Sequence, residues 1–193
     1  MVMEGMKKQW YEENHELFET EKAAMEMLAK DDDKELKYLD DGRAYWIVGF
    51  NSRLSGDKFT VALVYPMNHP YGTEIPDIRV YPLKPSYEEM LEKMNDASGR
   101  KDHSLPYSMR ESSGLYALAI CNPKWTVCRN CLDAVSGIVS AAAVLLETKR
   151  FMEFYEMGIA NDGKGFGRFD QIDPEKQRKA CIDFLWRLCC CIL

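Results

Sequence analysis

Cys121 is the residue of this chain whose sequence surroundings best suit covalent chemistry. An apolar run over residues 115–120 leads to it, and Asn122-Pro123 ends the run directly afterwards. This pattern predicts a short strand followed by a turn, where a thiol can be exposed on a rigid element and attack an acyl donor. The alternative is that Cys121 is the last core position of that strand, because cysteine is among the residue types most often buried.

Acyl transfer at a thiol builds a tetrahedral oxyanion, so a hydrogen-bond donor is expected close to Cys121. Asn122 is adjacent in the chain, and His103 could donate from a polar loop when it is protonated. The alternative for both is a loop residue that is hydrated by solvent. A carboxylate could orient an incoming amine, and Glu111 and Asp102 are the nearest in sequence. The sequence does not choose between these two carboxylates.

A zinc site is the main competing interpretation of the cysteines around Cys121. Together with Cys128 and Cys131 it gives one Cys-x-x-Cys pair and a third thiol, which resembles half of such a site. A closed zinc site needs four ligands, and no nearby Cys or His completes the set. We therefore predict no metal and no cofactor, and interpret Cys128 and Cys131 as core or partly exposed positions at the start of a helix.

The last four residues, Cys190-Cys191-Ile192-Leu193, fit the pattern that prenyltransferases modify, and a terminal Leu favours the longer prenyl group. The alternative is the apolar end of a last helix, which continues from Phe184 and Leu188. No polybasic segment precedes the motif to supply a second membrane signal. We therefore expect no membrane association unless Cys190 is lipidated.

The elements that would position Cys121 follow from changes in hydrophobic period. Residues 5–29 carry apolar side chains at spacings of three, four and seven, which predicts an N-terminal helix. Residues 44–81 alternate instead and are punctuated by prolines, and residues 51–57 supply a turn between the first two strands. The sequence therefore predicts an antiparallel meander over residues 44–81.

The remainder of the chain is predicted to be largely helical. A short amphipathic helix is expected over residues 86–96, followed by a polar loop over residues 95–113. A longer helix should start near Asn130, a loop should occupy residues 161–167, and Pro174 should open the last helix. The predicted fold class is α+β, with an antiparallel meander sheet flanked by helices. Residues 1–193 are expected to form a single domain, with helices at about 5–29, a sheet and active-site region at about 44–125, and helices at about 130–193.

Composition narrows the classes of partner and compartment. The chain has 193 residues, 46% of them hydrophobic, and a net charge of -6 at pH 7. This charge disfavours nucleic acid as a partner, because a phosphate backbone is bound by a basic stripe. The first 30 residues have no secretory pattern, so we expect a cytoplasmic protein in which the seven cysteines are reduced. An odd number of cysteines leaves at least one free thiol.

Two segments resemble the ubiquitin-conjugating enzymes. The first is Gly56-x-x-Phe59-x-Val61-x-Leu63-x-Tyr65-Pro66-x-x-His69-Pro70, which is similar to that family's glycine, alternating strand and paired prolines. The second is Cys121 followed by Trp125 and the helix from Asn130, which resembles the family's active-site cysteine, tryptophan and following helix. The order of predicted elements extends this resemblance over nearly the whole chain. Trp125 itself is expected to be a packing anchor.

The chain also departs from the family pattern. The family has a His-Pro-Asn tripeptide about ten residues before its cysteine, and this chain lacks it at that position. His103-Ser104-Leu105-Pro106 is a partial match that lies further from Cys121. His69 stands where the family usually has tyrosine. These departures indicate a divergent member, of the kind that occurs in bacterial operons resembling ubiquitination pathways, including antiphage defence systems.

The resemblance implies a cysteine acyl transferase. It would accept a ubiquitin-like protein, or another protein C-terminus, as a thioester on Cys121 and transfer it to a lysine or another nucleophile of a protein substrate. The resemblance also implies that the N-terminal helix binds an activating enzyme. The alternative function is a non-catalytic interaction module of the same fold that binds a ubiquitin-like protein or another partner, and the missing His-Pro-Asn tripeptide favours this alternative.

Overall fold

A computed structural model describes residues 8–70, 78–105, 108–118 and 140–160. These residues form four helices and six strands. The helices are α1 (Trp10–Glu13), α2 (His15–Leu28), α3 (Tyr87–Ser98) and α4 (Ala141–Ala160). The strands are β1 (Asp33–Tyr38), β2 (Ala44–Asn51), β3 (Lys58–Val64), β4 (Arg79–Lys84), β5 (Ser108–Arg110) and β6 (Tyr116–Leu118).

The strands form one antiparallel sheet in the order β1-β2-β3-β4-β6-β5. The first four strands follow one another as a meander, so the predicted meander over residues 44–81 is confirmed. The β5–β6 hairpin then returns to the sheet, and β6 pairs with β4 while β5 lies outside it. The α+β class is confirmed as well, because helices precede and follow this sheet.

Alternation along the strands sorts side chains onto two faces of the sheet. One row of facing residues is Leu36, Trp46, Leu63, Val80 and Leu118, and this row lies in or against the main hydrophobic core. The core also contains buried side chains of α2, α3 and α4. The three longer helices of the described chain therefore cover the same face of the sheet.

The turn between β2 and β3 is the one predicted for residues 51–57. The backbone of Ser52 donates to the carbonyl of Asp57 over 2.8 Å, and Gly56 has a φ of 79°, which favours glycine. The hydroxyls of Ser52 and Ser55 also donate to the carboxylate of Glu156 in the last turn of α4. The hairpin tip is thereby joined to the far end of the long helix.

The N-terminal helix expected over residues 5–29 is shorter and interrupted. Lys8 and Gln9 precede the first helical residue, and the helix is broken at Asn14. The side chain of Asn14 accepts a hydrogen bond from the backbone of Leu17 over 3.0 Å, so it caps α2. An asparagine in the middle of the amphipathic pattern therefore starts a second helix instead of continuing the first.

Two strands were not predicted. β1 is rich in charged residues and alternates between exposed and half-buried positions, as suits an edge strand. β5 lies within residues 95–113, which were wrongly interpreted as a loop throughout. The helix over residues 86–96 is confirmed: Ser86 caps α3 by accepting from Glu89, and the helix ends before Gly99 in the left-handed conformation.

The long helix expected from Asn130 is described only from Ala141 onward. Ser140 is not helical, so no continuous helix runs from Asn130 through this point. Ser140 instead caps α4, because its carbonyl accepts from Val144 and its hydroxyl from Ala142, both over 3.1 Å. The predicted loop over residues 161–167 and the last helix after Pro174 lie outside the described residues.

Among the described helices, none combines the length and the apolar character that crossing a bilayer would require.

Candidate functional site

Cys121 and Asn122 lie outside the described residues, as do Trp125, Cys128, Cys131 and Cys190. The structure does describe the strand that leads to them. β6 ends at Leu118, three residues before Cys121 in the sequence. Leu118 faces Val80 of β4 on one side and Ser108 of β5 on the other. The strand predicted from the apolar run over residues 115–120 is therefore confirmed at residues 116–118, and residues 119 and 120 lie outside the described residues.

His103 lies on the surface between α3 and β5, and its side chain is exposed. The segment around it is held at two points. Asn95 exchanges two hydrogen bonds of 3.0 Å with the backbone of Asp102, and the phenol of Tyr87 accepts from the backbone of Leu105 over 2.8 Å. Asn122 lies outside the described residues, so the structure gives no distance between it and His103.

Tyr87 also connects α3 to the hairpin that precedes Cys121. Its hydroxyl and that of Ser108 are 2.8 Å apart, and its ring stacks on Tyr116 with centroids 4.4 Å apart and an interplanar angle of 8°. Ser108 belongs to β5 and Tyr116 to β6. One buried side chain therefore fixes both strands of the hairpin against the helical layer.

The two candidate carboxylates differ in their surroundings. Asp102 is exposed, whereas Glu111 is half-buried with an oxygen 3.5 Å from Nε of Arg79. Burial and the hydrogen bond to Glu111 raise the pKa of Tyr81 well above its usual value. Glu111 is therefore engaged by partners from β4, while Asp102 is hydrated and available.

The described residues contain a buried polar group that the sequence analysis did not identify. Glu21, on α2, is only 3% exposed. Its Oε2 accepts from the Tyr65 hydroxyl over 2.8 Å and from the backbone N–H of Ala141 over 2.9 Å, and Trp46 Nε1 lies 3.4 Å from the same hydroxyl. We refer to Glu21, Tyr65, Trp46 and Ala141 as the Glu21 cluster. It joins α2, the sheet and the first residue of α4.

Burial and hydrogen bonding shift the pKa of Glu21 in opposite directions. Burial raises the pKa of Glu21, while hydrogen bonds from Ala141, Tyr65 and Ser140 lower it, and the net direction is upward. Burial and the neighbouring carboxyl group raise the pKa of Tyr65. A carboxylate at the N-terminus of α4 also interacts favourably with the unpaired N–H groups and the helix dipole. The cluster is thus a side-chain cap for α4, supplied by another helix.

This cap is relevant to Cys121 because of chain connectivity. Residues 119–139 join β6 to Ser140, and Cys121 belongs to that segment. Leu118 is fixed in the sheet, and Ala141 is fixed by Glu21. The residues that precede and follow the segment carrying the predicted nucleophile, Leu118 and Ala141, are therefore both held by the fold.

The spacing of residues in the sequence already indicates that Glu21 is buried. Phe18, Glu21 and Met25 are spaced by three and four residues, and all three are buried. A glutamate in the middle of an apolar stripe is expected to have a buried partner, because an unpaired buried carboxylate is very costly. Spacing alone could have identified Glu21, but it could not identify Tyr65 or Ala141 as its partners.

His69 is the second buried titratable group near this end of the sheet. It is 2% exposed, and its ring lies 4.6 Å from that of Trp10 and 5.0 Å from that of Tyr65, centroid to centroid. Burial lowers the pKa of His69 to about 4. The imidazole is therefore neutral at physiological pH and packs as a core ring, in contrast to the exposed His103.

The described residues include no group of three or more His, Cys, Asp or Glu side chains arranged to hold a metal ion. The zinc interpretation of Cys128 and Cys131 concerns residues outside the described ranges, and stays untested.

Comparisons with protein-family models, curated proteins and solved structures found no match to this chain.

Proposed function

We propose that this chain is a ubiquitin-conjugating-like enzyme that carries a ubiquitin-like protein as a thioester on Cys121. The observation that supports it most directly is the strand β6, whose residue Leu118 is in register with Val80 and Ser108. A nucleophile three residues beyond a position fixed in the sheet can be held in a reproducible position relative to an incoming acyl group. The helix, meander and later helices agree with the order that the resemblance implies.

The proposed reaction consists of two acyl transfers. The thiolate of Cys121 attacks the thioester carbonyl of the activated ubiquitin-like protein, a new thioester forms, and the cysteine of the activating enzyme leaves as a thiolate. A lysine amine of the substrate then attacks this second thioester, an amide forms, and Cys121 leaves as a thiolate while the amine proton passes to a base. His103 or Asn122 would donate to the oxyanion in both steps, and Asp102 or Glu111 would orient the amine.

The frame of the site supports a precise approach of the two proteins. Tyr87 holds the β5–β6 hairpin, which precedes the segment that carries Cys121, and Glu21 holds Ala141, which follows that segment. Both contacts come from helices, so the ends of the segment are tied to the core. Neither residue takes part in the chemistry, and both would act by positioning.

The N-terminal helices are the proposed docking surface for the activating enzyme. The charged side chains that are exposed on these helices are acidic and include Glu12, Glu13, Glu16 and Glu19, while Lys8 is the exposed lysine that precedes them. A partner that binds here would present basic side chains and would be attracted over a distance of about one Debye length. The Glu16→Lys variant should slow loading of Cys121, and should do so more at low salt than at high salt.

A thioester-loading assay tests the enzymatic proposal. Ubiquitin, a ubiquitin-activating enzyme and ATP are incubated with the protein, and adducts are separated with and without reductant. The wild type should form a reductant-sensitive adduct. Cys121→Ser should form an adduct that resists thiols but is cleaved by hydroxylamine, because a serine ester is a poorer acyl donor. Cys121→Ala should form none.

Matched controls are provided by the neighbouring cysteines. Cys128→Ala and Cys131→Ala should load like the wild type, since neither is proposed as the nucleophile. Loading of Cys121→Ala at the wild-type rate would contradict the assignment of Cys121. Labelling by a thiol reagent, read by mass spectrometry, gives a test that needs no donor protein, because a nucleophilic Cys121 must react in the native state.

The second candidate function is an interaction module. It is favoured by the sheet face opposite the core, where the side chains of Tyr45, Ile47 and Tyr81 are only partly buried and do not belong to the core. Such a face with aromatic side chains suits a binding surface. Protection of Cys121 from thiol reagents, together with binding of ubiquitin to the native protein, would support the module over the enzyme.

A further inference from the structure

Strand β1 forms one edge of the sheet, and among the described strands it pairs only with β2. It runs over Asp33–Tyr38, which is the length of a typical strand. The backbone groups on the free side of an edge strand are a template for pairing with another chain. β1 therefore offers an interaction surface, and its charges indicate which partner fits it.

Two hydrogen bonds determine which backbone groups of β1 point away from β2. The N–H of Leu39 donates to the carbonyl of Arg43 over 2.9 Å, so Leu39 is directed toward β2. The carbonyl of Ala44, which lies opposite Tyr38, accepts from the N–H of Tyr65 over 3.0 Å and is thus directed away from β1. Because backbone groups alternate along an antiparallel strand, the even-numbered residues of β1 direct their N–H and C=O groups to the free edge.

The side chains of β1 alternate as well. Leu36 points toward the core, whereas Glu35 and Lys37 lie on the opposite face of the sheet. Glu35 is exposed, and its carboxylate is 2.9 Å from Nζ of Lys37. One negative and one positive charge therefore stand next to each other on the same face, at either side of the middle of the strand.

These charges distinguish between the registers in which two copies of β1 could pair antiparallel. A register centred on Glu35 would place this residue opposite itself, and one centred on Lys37 would do the same with the lysine. Like charges directly opposite each other destabilise a sheet, whereas opposite charges stabilise it. A register centred on Leu36 places Glu35 of each copy opposite Lys37 of the other, so only this register matches both charges.

We propose that β1 is the contact between two copies of this chain, which pair antiparallel through their free edges with Leu36 at the two-fold axis. In this register the free backbone groups of the even-numbered residues face each other and can form the hydrogen-bonded pairs of a ladder. Glu35 and Lys37 then form the pairs without backbone hydrogen bonds, in which side chains are closest. Each of the four charges thus has an opposite charge both beside it on its own strand and across the contact.

The same pattern explains why a second copy fits better than an arbitrary strand. Charged side chains on an edge strand ordinarily prevent pairing with other chains. Glu35 and Lys37 oppose the two neighbouring registers and any strand that lacks the complementary pair, so they select one partner by repulsion as well as by attraction. The contact uses the same residues on both copies, so it closes after two chains and leaves no free β1 edge.

The test is sedimentation velocity of the full-length protein over a range of concentrations, with reductant present because the chain has seven cysteines. Physiological salt is used, since two chains with a net charge of -6 repel each other at low salt. A reversible dimer is expected. Glu35→Lys and Lys37→Glu should each raise its dissociation constant about tenfold, because each variant creates two like-charged pairs across the contact.

The combined variant with both Glu35→Lys and Lys37→Glu should regain the wild-type dissociation constant, and a mixture of the two single variants should form heterodimers. Only the register centred on Leu36 predicts this restoration. Glu92→Lys is the matched control, because it makes the same change of charge at an exposed position of α3 and should not weaken the dimer. A protein that is monomeric at all concentrations, a combined variant that stays dissociated, or equal weakening by Glu92→Lys would overturn the proposal.

Amide hydrogen exchange locates the contact on β1. The amides of Lys34, Leu36 and Tyr38 should be protected at concentrations where the dimer forms and should exchange faster on dilution. The amides of Glu35 and Lys37 are the internal control, because they are directed to β2 and should stay protected at both concentrations. Protection of the free-edge amides that does not change on dilution would show that another segment of the same chain covers this edge, and would overturn the proposal.

Discussion

Acidification should destabilise the folded protein through His69, by an amount that follows from its burial. The pKa of His69 is lowered from 6.5 to about 4 in the folded state. The unfolded chain therefore binds more protons than the folded one between these values, and the free energy of unfolding falls as the pH falls through this window. The contribution of His69 is fully present above pH 6.5 and is lost progressively toward pH 4.

The size of the effect follows from the same two pKa values. The stability attributable to keeping His69 neutral should fall by about 2 kcal/mol between pH 7.5 and pH 5, and by about 3 kcal/mol by pH 4. Burial raises the pKa of Glu21, so its titration contributes in the opposite direction, with stability rising as the pH falls. A single acid-denaturation curve mixes the two contributions, and a comparison with a variant is required.

The His69→Phe variant isolates the imidazole, because phenylalanine keeps a ring between Trp10 and Tyr65 but cannot be protonated. The free energy of unfolding should be measured by urea titration at pH 7.5, 6 and 5 for both proteins. The wild type should lose about 2 kcal/mol more than the variant over this range. His103→Gln, measured alongside, is the control for replacement of an exposed histidine. Parallel pH dependences for wild type and His69→Phe would refute the reasoning.

Substitutions at three further positions test local features of the fold, each read by urea unfolding. Glu21→Ala should cost about 2–4 kcal/mol, because it leaves the Tyr65 O–H and the Ala141 N–H buried without an acceptor, and a smaller loss for Glu21→Gln would agree with the retained acceptor oxygen. Ser86→Ala should cost about 1 kcal/mol through loss of the α3 cap, and a neutral result would contradict that role. Gly56→Ala should cost about 1 kcal/mol through backbone strain alone, since nothing lies within 4 Å of the added methyl group.

Hydrophobic period predicted the parts of the fold in which one face is buried and the other is not. Buried and half-buried positions alternate in β2 from Ala44 to Val48, whereas residues 61–64 of β3 are buried on both faces. The helix after Ser86 has both a capping serine and an apolar stripe. β1 was missed because its sequence, Asp-Lys-Glu-Leu-Lys-Tyr, carries one aliphatic side chain, Leu36, toward the core. Pairing with β2 makes it a strand, and pairing with a neighbour is not visible in local sequence.

The buried polar contacts were harder to predict for a related reason. Glu21 and Ala141 are 120 residues apart, and Glu21 and Tyr65 are 44 apart. The apolar stripe of α2 indicates that Glu21 is buried, but only the assembled core brings the N-terminus of α4 to it. His69 was noted as a replacement of the tyrosine that the family usually has, and its burial between Trp10 and Tyr65 likewise depends on long-range packing.

Tyr65 connects the observations made on Glu21 and His69. Its hydroxyl donates to Glu21, and its ring packs against Trp10 and His69. Glu21 in turn accepts from Ala141 at the start of α4. A change in the charge of either titratable group therefore acts on a residue that contacts the other, so their effects on stability should not be additive. The same contacts tie the N-terminal helices to one end of the segment that carries Cys121, because α2 supplies the carboxylate that caps α4.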